Sequence, residues 1–335
     1  MEIGELTRAA IEKRARALQG EVVRTPAVAL ETPMIATALA GGQVVLKLEC
    51  FQHTGTFKAR GALSNVQAIP AHKRAAGITA ASAGNHAIAA AWAARGCGLS
   101  AKVVMQDNAN PFRVARARAE GAEVILKAPG AATFGEAERL AAEEGRTFIH
   151  PFDGLTTVLG TATVGLELMQ DIPDLDAVIV TIGGGGLISG IAAAVKLMNP
   201  ACAVYGVEPV GADSMSRSIA AGGPVTLDRV QTIADSLGAP MSLPLGHALC
   251  AAYVDDIVTV TDDQICAGMV VLQQDAKLAV EPAAGAAMAG LLGPLRQRLQ
   301  GKKVGVVICG ANIDAQTYQA QLARGLEHLG ALTDG

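Results

Sequence analysis

Aromatic side chains are scarce in this 335-residue chain: one Trp, three Tyr and six Phe, together 3% of residues. A core with few large rings must be filled by small and branched side chains, and Ala and Gly are correspondingly abundant. With half the residues apolar, this balance excludes a disordered chain and suits close-packed helices laid on sheets. The six cysteines, at positions 50, 97, 202, 250, 266 and 309, never form a CxxC pair, so neither a zinc ribbon nor a thioredoxin-type site is credible. Scattered thiols suit a reducing, cytoplasmic compartment. No basic run exceeds Lys302-Lys303 and the formal charge is −4, which gives no reason to expect a nucleic-acid partner. Apolar stretches are broken by Gly or charge before membrane-spanning length. The N-terminal MEIGELTRAAIEKRARALQG is charged and amphipathic, and reads as a first helix rather than a secretory signal.

What the chain does contain is an alternation of short β-branched runs with longer Ala-rich amphipathic stretches, the pattern of βαβ units and a mostly parallel sheet. The expected strands are 44–48, 77–80, 101–104, 123–126, 177–182, 203–207 and 303–308. Helices are expected over 86–95, 110–120, 134–144, 187–198 and 265–274, among others. The block 50–145 holds enough strand–helix pairs for a small three-layer domain. Residues 1–49 and 146–335 then form a larger, discontinuous one.

The strongest motif is Thr181-Ile182-Gly183-Gly184-Gly185-Gly186-Leu187-Ile188-Ser189-Gly190, where a buried strand runs through four glycines into a helix. Glycines let backbone N–H groups turn toward one point, and the helix N-terminus adds positive potential there, making a phosphate cradle. A plain strand–helix turn needs only one or two glycines. Walker A chemistry is excluded because Leu187-Ile188 follows where Gly-Lys-Ser/Thr is required. The dinucleotide fingerprint also fails, since Ile188 and Ser189 occupy the place of its third glycine. Glu208, about twenty residues on, nevertheless stands where a ribose-binding acid would, so a nicotinamide-dependent oxidoreductase is the competitor on this motif alone.

Three further segments carry chemistry. In His53-Thr54-Gly55-Thr56-Phe57-Lys58-Ala59-Arg60-Gly61, Lys58 stands beside an apolar ring at the start of a helix. Desolvation and helix-end potential there disfavour the ammonium form, as a Schiff-base lysine requires. In Ser82-Ala83-Gly84-Asn85-His86, small residues at a helix start can hold a carboxylate, and Asn85 can donate to an oxygen. Each segment alone has a plainer reading, an exposed lysine in the first case and an ordinary N-cap in the second. Val306-Val307-Ile308-Cys309-Gly310-Ala311-Asn312 ends a buried strand in a thiol that is either core filler or a weak neutral donor.

Together and in this order, the four segments resemble the fold-type II pyridoxal-phosphate enzymes, most closely the threonine/serine dehydratase and serine racemase group. The resemblance runs from Arg24-Thr25-Pro26 through Glu281-Pro282 to Asn312. It implies a tryptophan synthase β-like α/β fold, with two three-layer α/β/α domains, mostly parallel sheets and the cofactor, pyridoxal 5'-phosphate, in the cleft between them. It further implies that Lys58 carries the cofactor and acts as base at Cα, while Phe57 packs near the ring. Gly183, Gly184, Gly185, Gly186 and the Leu187 N–H hold the phosphate, and Asn85 faces the phenolic oxygen. Ser82, with the Ala83, Gly84, Asn85 and His86 turn, takes the substrate carboxylate, and Cys309 faces the pyridine nitrogen.

The implied reaction is β-elimination from a small hydroxy amino acid, foremost L-threonine or L-serine. Within the class, phenylserine or a hydroxyectoine-derived compound is the alternative, and 3-hydroxyaspartate is disfavoured. A pyridoxal-phosphate-binding protein without turnover is a third reading. Departures from the family pattern bear on the substrate. Ala83 stands where racemases carry a serine as opposite-face acid, so racemisation should be weak. The segment after Pro129, Gly130-Ala131-Ala132-Thr133-Phe134, lacks the arginine some relatives offer. Thr161-Ala162 replaces Gln-Gly, and Ser236 replaces a glycine. The family's divalent cation (magnesium or calcium) would fall at Glu208, Ala212 and Ser214, with Ser214 in place of an acid. A homodimer without membrane or nucleic-acid partners is expected.

Overall fold

The computed structural model describes residues 3–332. Ten strands are present among them: β1 (Ala27–Ala29), β2 (Gln43–Lys47), β3 (Ile78–Ser82), β4 (Ala101–Gln106), β5 (Glu123–Lys127), β6 (Thr147–Phe148), β7 (Ala177–Thr181), β8 (Ala203–Pro209), β9 (Asp256–Val260) and β10 (Lys303–Val307). They form two sheets, β1-β2-β10-β7-β8-β9 and β5-β4-β3-β6. Every pairing is parallel except β1 with β2.

Both sheets are covered on two faces, and alternation along single strands shows it. A side chain at Gly206 would meet Ile188 of the Gly186–Met198 helix, whereas the next residue, Val207, packs against Gly290 of the Pro282–Leu292 helix. In the smaller sheet, Ala80 joins the core formed with the Asn85–Gly96 helix, while Ala81 joins Ala137 and Leu140 of the Ala131–Glu144 helix. This is the three-layer arrangement expected from continuous apolar strands.

Small residues set how closely the helices approach. A methyl group at Gly160 would lie 2.7 Å from the Arg60 carbonyl and 2.8 Å from the Gly61 Cα, so the Leu155–Asp171 and Lys58–Ala68 helices touch backbone to backbone. The seven anticipated strands are all present, within two residues at each end. β1 and β6, of three and two residues, are too short to show a period, and β9 is a further strand outside the expected set. β6 carries the smaller sheet just past residue 145, where that unit was expected to end.

Beside this contact lies a buried ion cluster. Arg60, with no exposed surface, bonds Glu49 through Nε and Nη2 (2.8 Å each) and Glu167 through Nη1 (2.7 Å) and Nη2 (2.9 Å). Lys47 Nζ completes it with Glu167 and the Thr25 carbonyl, both at 2.7 Å. Burial alone would lower the Arg60 pKa, but the two carboxylates outweigh it and hold the guanidinium well above its ordinary value. Charges so placed are costly to orphan. Glu49→Gln or Arg60→Leu should therefore cost about 3–5 kcal/mol in urea unfolding, whereas removing the exposed Arg8–Glu12 pair should cost less than about 1 kcal/mol.

Candidate active site

Parallel pairing of β10 with β7 delivers two of the motif segments to the same place. The glycine turn leaves the carboxyl end of β7 and Cys309 leaves that of β10, with Thr181 Oγ1 3.7 Å from Cys309 Sγ. The carboxyl ends of parallel strands are where open α/β sheets form their clefts. The Lys58 segment is fastened to the same edge, since the Phe57 N–H donates to the Cys309 carbonyl (3.1 Å).

Lys58 Nζ lies 5.1 Å from the Phe57 ring centroid and donates to the Pro151 carbonyl (2.6 Å). It faces a small cavity lined by Gly183–Gly186, Asn85, Phe152, Glu281 and Cys309. Burial pushes the lysine pKa down to about 8, against the opposing pull of Cys309 and Glu281. Across the cavity, the Gly186–Met198 helix begins at Gly185 (φ 90°) without a side-chain cap, leaving its first N–H groups for a ligand. Thr161 Oγ1 donates to the Gly186 carbonyl (2.7 Å), tying this turn to the helix behind it.

The 82–86 turn closes another side. Ser82 Oγ accepts the Gly84 N–H (3.0 Å). Asn85 Nδ2 donates to both Glu281 oxygens (2.8 and 2.9 Å), and its Oδ1 accepts from Asn312 Nδ2 (2.8 Å). Glu281 also accepts from Ser236 Oγ (3.2 Å) and Arg113 Nη2 (3.3 Å). Burial raises the Glu281 pKa, while Arg113 and Asn85 oppose the rise. Arg113 further binds Asp235 (2.5 Å) and the Asn312 carbonyl (2.8 Å), and its stem covers Gly84 so closely that no side chain would fit there. His86 lies on the other side of Lys58 from this cavity lining: its Nε2 meets the Ile149 carbonyl (2.8 Å), and burial, helped by the Lys58 charge, lowers its pKa to about 3. Burial pushes the Cys309 thiol strongly up, with the Glu281 charge adding to the effect, so the group stays neutral.

Residues 18–310 match the family model described as pyridoxal-phosphate dependent enzyme. The chain belongs to that family. Phenylserine dehydratase from Ralstonia pickettii is 52% identical over 285 residues, covering 85% of this chain and 87% of that one. L-threonine ammonia-lyase from Thermotoga maritima is 36% identical over 320 residues, covering 94% and 78%. The structure of maize serine racemase superposes with a TM-score of 0.88 at 33% identity, covering 96% of this chain and 98% of that one. Family membership sets the nicotinamide alternative aside.

The residues present fit a pyridoxal-phosphate group. A lysine amine with a depressed pKa, a glycine turn with free helix-end N–H groups and a neutral thiol all face one cavity. Lys58, Phe57, Asn85, the glycine turn, Leu187 and Cys309 are thus gathered together.

The divalent cation expected at Glu208, Ala212 and Ser214 is not supported. Glu208 accepts the N–H groups of Met215 and Ser216 (both 2.8 Å) and Ser216 Oγ (2.6 Å). Its carboxylate therefore serves the first turn of the Ser214–Ala221 helix, and burial raises its pKa to about 7. Among the described residues, no group of three or more His, Cys, Asp or Glu side chains could hold a metal.

Sequence reasoning did not single out Glu281 or Arg113 as site residues, and the Pro151 carbonyl carries no side-chain signal at all. A methyl group at Gly186 would fall 2.5 Å from the Phe152 carbonyl and 2.9 Å from its Cα, neither of which can swing aside. Gly186→Ala should lower stability by about 1–3 kcal/mol and weaken retention of pyridoxal phosphate, measured by urea unfolding and equilibrium dialysis.

Proposed function

We propose that this chain removes the β-hydroxyl of a neutral L-3-hydroxy amino acid, releasing a 2-oxo acid and ammonia, with Lys58 as cofactor-bearing lysine and base. The observation that carries this reading is the Lys58 amine, pushed down to about 8 and facing the glycine cradle. Bound pyridoxal phosphate would acidify the Cα–H, which is what allows a β-substituent to leave. The chain's own residues would do the rest. Gly183–Gly186 and the Leu187 N–H would hold the phosphate, and Phe57 would pack against the ring. Asn85, oriented by Glu281 and Asn312, would face the phenolic oxygen.

Cys309 would present a neutral thiol to the ring nitrogen and so leave it unprotonated. The Ser82–His86 turn would bind the substrate carboxylate, while Lys58 would take the Cα proton. Ala83 has no proton to give from the opposite face, which favours elimination over racemisation. The released enamine then hydrolyses in water to the 2-oxo acid and ammonia. L-threonine and L-serine are the smallest substrates of this class. A cytoplasmic homodimer with a small domain over 50–145, drawn on to Phe148 to take in β6, completes the proposal.

Purified protein should show the visible absorbance of lysine-bound cofactor, and Lys58→Ala should abolish it. A 2-oxo acid should form from at least one hydroxy amino acid. No absorbance after adding pyridoxal phosphate would sink the proposal. Attachment needs the free amine, so the loading rate of apoprotein should rise about tenfold from pH 6 to 7 and level off above about 8. Because the folded pKa lies below the ordinary lysine value, apoprotein stability should rise with pH between about 8 and 10. A stopped-flow pH series and apoprotein melts check both.

A further inference from the structure

In a chain with so few aromatics, three of the six phenylalanines stand together with a histidine beside the lysine. Phe134 lies 6.0 Å from His150 and 6.4 Å from Phe148, Phe148 lies 5.9 Å from His150, and His150 lies 4.7 Å from Phe152, centroid to centroid. The four rings meet at tilted or edge-on angles and are all half-buried, so part of the wall they form is open to contact. Core packing alone does not call for that exposure.

The position of this wall follows from the backbone. β6 pairs with β3 in the register Thr79 with Phe148, so residues 149–152 run on beside the end of β3 and the 82–86 turn. Pro151, within this run, takes the Lys58 Nζ bond, and the Phe152 ring covers Gly184 of the phosphate cradle. Phe152 lines the cavity that Lys58 faces, and His150, Phe134 and Phe148 continue the wall from it ring by ring.

The wall is also uncharged at neutral pH. His150 Nδ1 accepts the N–H groups of Phe152 (3.3 Å) and Asp153 (2.9 Å), and burial, aided by the charge of Lys58, outweighs Asp153 and lowers its pKa to about 4. A second carboxylate on the substrate would find no cation in it. Another ring, in contrast, would gain the edge-on and offset contacts that aromatic groups favour at 4.5–7 Å.

We propose that this wall selects an aryl side chain: the substrates are L-3-aryl-3-hydroxy amino acids, with Phe134, Phe148 and His150 as the specificity-determining residues. The inference rests on the dehydratase reading of the same site. The 52% identity to the Ralstonia pickettii phenylserine dehydratase points the same way. Phe134 and Phe148 also pack on Ala81, Val104, Ala137 and Leu140, so a useful variant keeps apolar volume and removes only the ring.

The test compares kcat/KM for L-threo-phenylserine and L-threonine in the holoenzyme, Phe134→Leu and Phe148→Leu. The wild type should prefer phenylserine, and the preference should fall by about tenfold or more in at least one variant. Calorimetry of the holoenzyme should show L-phenylalanine binding more tightly than L-alanine, with the gap narrowed in the same variant. A preference unchanged in both variants, or wild-type turnover of threonine without phenylserine, overturns the aryl assignment and leaves the dehydratase reading standing. Turnover of neither, with cofactor bound, removes both.

Discussion

The interaction on which the rest of the site depends is the buried union of Arg60 with Glu49 and Glu167. Arg60 lies two residues beyond Lys58, at the start of the same helix. Its guanidinium reaches the Val23 carbonyl (3.2 Å), Thr163 Oγ1 (3.0 Å) and both carboxylates, so its direction is fixed from several sides. Because the partners are satisfied only in one geometry, the helix start cannot rotate without stranding charge in a dry interior. This is a constraint on Lys58 at second hand, acting through backbone that is already held by the Phe57–Cys309 bond.

Arg113 does for the cleft what Arg60 does for the lysine helix. It belongs to the Pro111–Ala119 helix beside the smaller sheet, yet its partners Asp235, Glu281 and Asn312 all belong to the other side. Burial alone would lower its pKa, but Asp235 and Glu281 reverse the direction. The two sheets are thus joined over the 82–86 turn by a charge that is fully paired only when the sides meet. Gly84 is the counterpart of this arrangement, since the Arg113 stem leaves room there for nothing larger than hydrogen.

The strands were legible in the sequence because continuous β-branched runs covered on both faces leave a strong local trace. The glycine turn was legible because four glycines in succession have no cheaper explanation than close approach to a ligand. Glu281 was not, because Glu281-Pro282 reads as an ordinary helix start; only the fold brings Asn85 and Arg113, 196 and 168 residues away, onto its oxygens. The cation expectation finds no support for a related reason. Spacing identifies an acid near a loop, but not whether its oxygens are already spent on backbone N–H groups, as those of Glu208 are. The aromatic wall was also hidden, since Phe134 and Phe152 are linked through His150, which follows a strand, β6, too short to announce itself.

Scarcity of aromatics and the character of the site are connected. Where Gly61 and Gly160 meet, large side chains are excluded by backbone contact, and the same crossing fixes the Arg60 cluster beneath the lysine. At the sheet edge between β6 and the Ala131–Glu144 helix, by contrast, rings are concentrated. Backbone contact thus holds the groups that any amino acid substrate would meet, and the rings stand apart from it at the sheet edge. Exchanging a ring at that edge would leave untouched the buried charges that orient the lysine, because the two groups share no hydrogen bond or ring contact.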